Sequence, residues 1–301
     1  MRKFIFILLV TFFQETKAND GVFYATGNTL VPLKETTIRL KKEILNLERK
    51  GDWVQVDIYF EFFNPGPEKE LTVGFVTPPA DGDVSEEEAK HPFVKDFMVM
   101  VDDRLLPYQI ARMEETGFKV NSKVANGFDF VYHFKIKFAK GITIIRHSYL
   151  YKGGGSVEAK NDFDYRLTTG TTWANSGIDD FELNINMGDD SYFSVPNGFG
   201  TAPAAWQVAG IGRLAKNTAT VPYMAEGGGK IRMVYLKKGM LQLRATNFKP
   251  TEDLSIVFWN LHNEVNLWCD KTVKNEFSGI MELVWGDSIE AAVSKLTDTE
   301  L

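Results

Sequence analysis

The chain has 301 residues, a net charge of −6 at pH 7 and a single cysteine. One thiol cannot pair within the chain, so the composition excludes a disulfide-rich scaffold. The negative charge disfavours a nucleic-acid binder because it repels phosphate, whereas 44% hydrophobic residues are enough to bury a sizeable core.

The N-terminus predicts a secretory signal peptide over residues 1–18. Arg2 and Lys3 precede the apolar run Phe4–Phe13, which is too short to cross a bilayer core of about 30 Å. We therefore expect an exported protein, periplasmic or secreted. Cleavage after Ala18 removes three basic residues and one acidic residue, which changes the net charge from −6 to −8. No later stretch is apolar over 18 residues, so no transmembrane segment is expected in the mature chain.

Strict alternation of apolar and polar residues predicts strands along most of the chain. Residues 53–63 place Val54, Ile58 and Phe60 on one face, and residues 128–138 repeat the pattern. Residues 36–50 also have helical propensity, but their pairing with 53–63 favours a strand. Other predicted strands are Leu71–Phe75, Phe93–Val101, Ile142–Tyr151, Phe181–Met187 and Leu254–Asn260.

Three short basic turns that end in glycine, at residues 49–51, 139–141 and 237–239, predict hairpins with three-residue loops. Glycine accepts the left-handed conformation that such a loop requires. The registers that follow pair Leu40 with Phe60, His133 with His147, and Leu236 with Met240.

This pattern predicts an all-β protein of two consecutive antiparallel β-sandwich domains. The glycine-rich segment 153–156 is the predicted linker between a first sandwich, residues 19–152, and a second, residues 157–287. The alternative is a long loop inside one larger domain. Helical spacing in Ser288–Leu296 predicts a short C-terminal helix within residues 288–301.

Several segments follow one another in a distinctive order. They are residues 19–24 (NDGVFY), 27–33 (GNTLVPL), 59–65 (YFEFFNP), 91–93 (HPF) with Asp96 and Phe97, and 165–170 (YRLTTG) with Trp173. In these segments the chain resembles a family of exported bacterial proteins of unknown function that commonly precede a C-terminal YARHG domain.

The resemblance covers most of residues 19–285. It implies an exported, mostly β protein with no assigned catalytic residues. Residues 295–301 resemble the approach to a YARHG domain, so either this member lacks that domain or the sequence is truncated.

Three aromatic residues are candidate binding residues. Tyr165, Trp173 and Trp206 lie in segments rich in glycine, serine, threonine and asparagine. Exposed aromatic rings in such loops can stack on sugars or anchor a protein partner. The alternative is that each ring closes the end of a sandwich core.

The predicted pairing of His133 with His147 would bring two imidazoles within about 5.5 Å, close enough to share Zn²⁺ or Cu²⁺. A half-polar sheet face is the favoured explanation of the pair, since no third ligand is evident, and no metal site is predicted. The acidic run 81–88 fails the EF-hand pattern because Glu86 occupies the glycine position.

Cys269 is expected to be a small buried side chain, and no cofactor is predicted.

Catalytic motifs are absent from the sequence: it has no nucleophile elbow, zinc-protease motif, P-loop or dinucleotide fingerprint. The doublets Asp179–Asp180 and Asp189–Asp190 are not intrinsic catalytic pairs, since adjacent strand residues point to opposite faces. The sequence therefore favours a non-catalytic binding protein of the bacterial envelope, with a glycan or protein partner. The alternatives are an envelope glycan or peptide hydrolase, whose carboxylates meet only in the fold, and a structural spacer for a YARHG domain.

Overall fold

The computed structural model describes residues 29–32, 37–77, 90, 94–115, 129–152, 154–155, 160–200, 202–215, 218–221 and 229–259. The predicted signal peptide, the acidic run 81–88, Cys269 and the predicted C-terminal helix lie outside these residues. Within them, strands dominate, which confirms the all-β prediction. Two short 3₁₀ turns, Met113–Glu115 and Leu167–Thr172, are the helical elements of the described part.

Seventeen strands are described, and they form two sheets. Their bounds are β1 Thr29–Pro32, β2 Arg39–Lys50, β3 Trp53–Asn64, β4 Lys69–Thr77, β5 Val94–Val101, β6 Arg104–Leu105, β7 Gln109–Arg112, β8 Phe130–Phe138, β9 Gly141–Lys152, β10 Gly154–Gly155, β11 Lys160–Tyr165, β12 Ile178–Asn186, β13 Ser191–Pro196, β14 Gln207–Leu214, β15 Ala219–Val221, β16 Gly229–Phe248 and β17 Leu254–Trp259.

The smaller sheet has four strands in the order β1-β4-β8-β7. The large sheet has thirteen strands. Its path is β10-β11-β17-β13-β16-β12-β2-β3-β9-β5-β6, and β14 and β15 also pair with β16. Within the described residues the predicted strands are confirmed with small shifts at their ends, including the strand interpretation of residues 36–50 over Arg39–Lys50.

The small sheet packs face to face against β3, β5 and β9 of the large sheet. Phe75 of β4 lies 4.6 Å from Phe97 and 5.0 Å from Tyr149 between ring centroids, and Tyr132 of β8 lies 4.5 Å from Phe97. Ring contacts at these separations add to the free energy gained by burying the side chains. The alternating residues predicted to form one face of β3 and one face of β8 build this core.

The β11 end of the large sheet folds back over the inner face of β2 and β9. The ring of Phe163 on β11 lies 5.2 Å from Tyr151 on β9, and the hydroxyl of Tyr165 on β11 donates a hydrogen bond to Glu43 on β2. Buried residues from both halves of the chain form one hydrophobic cluster. The strands before and after the predicted linker therefore share a core.

The large sheet itself crosses the predicted domain boundary. β12 pairs in parallel with β2 from Asp180–Lys42 to Asn186–Glu48. Within the predicted linker, Gly154 and Gly155 form β10 and pair with β11. Two separate sandwiches are therefore not confirmed, because β2 and β12 belong to one hydrogen-bonded sheet.

The three predicted hairpin registers are wrong, each for a different reason. The turn between β2 and β3 contains two residues, so Lys50 lies opposite Trp53. β8 and β9 belong to different sheets and do not pair. β16 continues as one strand through residues 237–239, so Leu236 and Met240 lie on the same strand.

Gly239 lets β16 pass close to β14 without a turn. It lies opposite Gly210, and both residues have positive φ angles, 115° and 134°. A Cβ atom at Gly239 would lie 2.3 Å from the Ala209 carbonyl oxygen, and one at Gly210 would lie 2.3 Å from the Lys238 carbonyl oxygen. Gly239, which predicts a hairpin in the sequence, therefore allows a close approach of two paired backbones instead.

We predict that Gly239→Ala destabilises the fold by about 3 kcal/mol or more, because it adds backbone overlap to the 1–3 kcal/mol cost of an unfavourable φ. Gly141→Ala is the matched control, since Gly141 has a similar φ of 104° but open space at the Cβ position. Urea unfolding measures both changes. Equal losses of unfolding free energy in the two variants would contradict the close approach of β14 and β16 at Gly239.

Candidate functional site

The three aromatic residues predicted to bind a ligand lie in the core. Tyr165, Trp173 and Trp206 are 3%, 2% and 6% exposed. The Trp173 ring packs on Phe62 at 4.3 Å, and the Trp206 Nε1–H donates a hydrogen bond to the Pro196 carbonyl at 2.8 Å. The prediction that these rings offer free faces is wrong, and the alternative that they close the core agrees with their burial.

The two histidines predicted to face each other lie on different sheets. His133 on β8 is opposite Gly74, and His147 on β9 is opposite Ile58. Phe134 contacts the His147 ring, so its neighbour His133 points to the other face of β8. The fold does not assemble the predicted histidine pair. Among the described residues, no group of three or more His, Cys, Asp or Glu is placed to hold a metal ion.

His147 is enclosed by aromatic rings. It is 2% exposed, and neither ring nitrogen has a hydrogen-bond partner among the described residues. Burial lowers the pKa of His147 to about 3, so the imidazole is neutral near pH 7. The rings around it, at centroid distances of 5.4–5.9 Å, belong to Phe60, Phe75, Phe97 and Phe134.

The aspartate doublets are held by partners on neighbouring strands. Asp179 and Asp180 form ion pairs with Lys41 and Lys42 at 2.5 and 2.8 Å. Asp190, in the other doublet, accepts a hydrogen bond from a β16 tyrosine at 2.9 Å. Asp179 and Asp180 lie on β12, which is paired on both sides, and Asp190 lies in the turn before β13.

One carboxyl lies deep in the core. Glu43 on β2 is 3% exposed, and its register neighbours are Phe60 on β3 and Phe181 on β12. The Tyr165 hydroxyl donates a hydrogen bond to Glu43 Oε1 at 3.2 Å. Burial raises the pKa of Glu43 to about 8, while this hydrogen bond acts in the opposite direction. The carboxyl is therefore mostly protonated at pH 7, and its enclosure keeps a polymeric substrate from reaching it.

Sequence reasoning missed Glu43 because β2 contains a bulge. Alternation before the bulge places Leu40 inside, whereas Leu45 and Leu47 are inside after it. The register shifts between Leu40 and Lys42, which adds one residue and reverses the two faces of the strand. The change from even to odd numbering of the leucines is the sequence signal that could have located the bulge.

A row of polar side chains crosses the outer face of the large sheet. Its six members are exposed or half-buried, and each lies opposite the next in strand register. Strands are about 4.8 Å apart, so the row is about 24 Å long. We call it the polar row; its members are Ser148 on β9, Asp57 on β3, Asn46 on β2, Asn184 on β12, Gln242 on β16 and Gln207 on β14.

The central amides of the polar row hold one another in place. Asn184 Nδ2 donates to Asn46 Oδ1 at 2.9 Å, and Gln242 Nε2 donates to Asn184 Oδ1 at 2.7 Å. Asn46 Nδ2 donates a long hydrogen bond to the Asp57 backbone carbonyl at 3.5 Å, which leaves its second N–H. The Asn46 amide group and the Gln242 carbonyl oxygen therefore keep hydrogen-bonding capacity at the surface.

Charged side chains beside the polar row form pairs. Lys42 and Asp180 are 2.8 Å apart, and Arg244 and Glu182 are 3.2 Å apart. Asp57 is the only charged member of the row itself. The centre of this face therefore presents hydrogen-bonding groups with little net charge.

Comparison with known proteins shows a shared fold and no family. No family model matches the chain, and no curated protein matches its sequence, so the resemblance to YARHG-associated proteins stays a prediction. A Legionella pneumophila protein proposed to be a nutrient binding protein matches with a TM-score of 0.59 and 16% identity, over 90% of this chain and 85% of that one. This similarity shows that the two proteins share a fold.

A second solved structure is much less similar. Legionella pneumophila aminopeptidase A, in complex with aspartic acid, matches 77% of this chain and 23% of its own at 9% identity. The TM-score of 0.31 is too low to indicate a common fold.

We predict that Glu43→Gln stabilises the protein more at pH 9 than at pH 5. Folded Glu43 keeps its proton up to about pH 8, whereas the unfolded chain releases it near 4.5. The stability that this group contributes is therefore complete below pH 4.5 and is lost as the pH rises through 8, by up to about 5 kcal/mol. Urea unfolding at both pH values measures this change in the free energy of unfolding. Glu48→Gln, at an exposed position of β2, is the control, and identical pH profiles for both variants would contradict the buried acid.

At low pH we expect His147 to limit stability. Unfolding lets the imidazole bind a proton below pH 6.5, so stability falls as the pH drops from 6.5 towards 3. His147→Leu removes this proton uptake and should reduce the difference in unfolding free energy between pH 7 and pH 4 by several kcal/mol, as an order of magnitude. An unchanged difference in the variant would show that His147 does not titrate on unfolding.

Proposed function

We propose that this chain is an exported, non-catalytic binding protein of the bacterial envelope, whose ligand lies on the outer face of the large sheet. The ligand is a glycan or a protein partner. The observation that carries the proposal is the polar row: six hydrogen-bonding side chains in register across six strands, at the surface. This face replaces the loop aromatics of the sequence prediction, since those rings are buried.

Ordered side chains favour binding on this face. The cross-strand hydrogen bonds between Asn46, Asn184 and Gln242 restrict their rotamers before a ligand arrives. Binding then costs less side-chain entropy than it would with free side chains. Five of the six strands that carry the row are paired on both sides, so the sheet holds its geometry.

Two further observations support the proposal. The Legionella pneumophila protein with the same fold is itself proposed to bind a nutrient, which is a binding rather than a catalytic role. Export rests on the predicted signal peptide alone.

The proposal predicts that one fraction of the bacterial envelope binds the mature chain through the polar row. The probes are a protease-treated glycan fraction and a glycan-free protein fraction, each passed over immobilised protein in a biosensor. We expect the double variant Asn46→Ala with Asn184→Ala to bind at least about 10-fold more weakly, because it removes the central hydrogen bonds. Lys135→Ala is the control, since Lys135 is an exposed residue of the small sheet.

Equal binding by the double variant and the wild type would place the ligand elsewhere, and no binding of either fraction would contradict a binding function. Progressive shortening of a bound glycan, followed by mass spectrometry, would instead favour the hydrolase alternative.

A further inference from the structure

We infer that the ligand of the polar row is an uncharged oligosaccharide that lies along the row, perpendicular to the strands. This inference rests on the proposed function and adds to it the class and orientation of the ligand.

The position of the polar row disfavours an extended peptide. Peptides that add to a sheet do so at its edge, through unpaired backbone groups. The row crosses β9, β3, β2, β12, β16 and β14, and the first five of these strands are paired on both sides. Along these five strands only side chains are offered to a ligand, so the ligand must supply hydrogen-bonding groups of its own.

The chemistry of the row also disfavours a folded protein partner. Protein interfaces have an apolar and aromatic core surrounded by a polar rim. All six members of the row are polar, and the exposed Met98, which lies opposite Ser148, is at one end. A protein partner would therefore meet polar groups at the centre of the contact.

Sugar hydroxyls match these polar groups. A hydroxyl and a primary amide can each donate and accept a hydrogen bond. Gln242 keeps its carbonyl oxygen available, Asn46 keeps an amide hydrogen, and Asp57 offers carboxylate oxygens. Neighbouring hydroxyls on a sugar ring can satisfy a donor and an acceptor on adjacent strands.

The charges on this face favour an uncharged ligand. Asp57 and the net charge of −6 repel an anionic glycan. The flanking carboxylates Asp180 and Glu182 are already paired with Lys42 and Arg244, so of these carboxylates only Asp57 is left to attract a cationic glycan, and one exposed carboxylate adds little affinity.

The length of the row implies a length dependence of binding. Single neutral hydrogen bonds at an exposed surface contribute only about 1 kcal/mol each. Useful affinity therefore needs several sugars, and it should increase until the oligosaccharide spans the row of about 24 Å. One monosaccharide can reach only one or two of the six strands.

The test is isothermal titration of the mature chain with defined oligosaccharides. The uncharged probes are cellulose, maltose and N-acetylated chitin oligomers of two to six units. The charged controls are galacturonic acid hexamers and deacetylated chitin hexamers. We expect at least one uncharged series to bind, with an affinity that rises from the dimer to the hexamer. Asn184→Ala should weaken hexamer binding about 10-fold, while Lys135→Ala leaves it unchanged.

Binding of the charged hexamers alone, no binding of any uncharged series, or an unchanged affinity in Asn184→Ala would each overturn this inference. The proposed function would survive those results if an envelope fraction still bound through the polar row in the biosensor. If neither envelope fraction bound, both the proposed function and this inference would be wrong.

Discussion

The parallel pairing of β2 with β12 is the contact on which the rest of the structure depends. It joins residues 138 positions apart in the sequence and makes one sheet from strands of both halves of the chain. On the outer face it sets Asn46 beside Asn184. On the inner face it sets Glu43 beside Phe181. The candidate binding surface and the buried acid are therefore two consequences of the same pairing.

The two faces of β2 place polar side chains in opposite environments, one in water and one in the core. The outer face keeps amides in water, where their mutual hydrogen bonds order them at little cost. The inner face buries Glu43, and the carboxyl avoids the large cost of a buried charge by keeping its proton and accepting a hydrogen bond from Tyr165. His147, on nearby β9, follows the same rule by staying neutral among aromatic rings. In the folded core, Glu43 becomes charged only above about pH 8, and His147 becomes charged only below about pH 3.

Local patterns predicted the strands, and long-range contacts decided how they pair. Alternation in β3 and β8 predicted which side chains are buried, because strand periodicity is a property of neighbouring residues. It could not show that β8 and β9 separate into different sheets. Nor could it show that β16 passes through Gly239 without turning, since that depends on Gly210 of β14. Trp173 was misplaced because its sequence neighbours are polar, whereas its contacts in space are aromatic.

The polar row could not be predicted for the same reason. Its members are ordinary exposed polar residues in the sequence, and only the register of six strands aligns them. Residues from 46 to 242 contribute, so the face exists only in the folded sheet.

The most direct measurement of the central claim is NMR mapping of the mature chain during titration with an uncharged hexasaccharide that binds. We expect the side-chain amide signals of Asn46, Asn184 and Gln242 to shift together with increasing ligand, while signals from the outer face of the small sheet stay in place. Shifts confined to the small sheet, with these three amides unchanged, would contradict this claim.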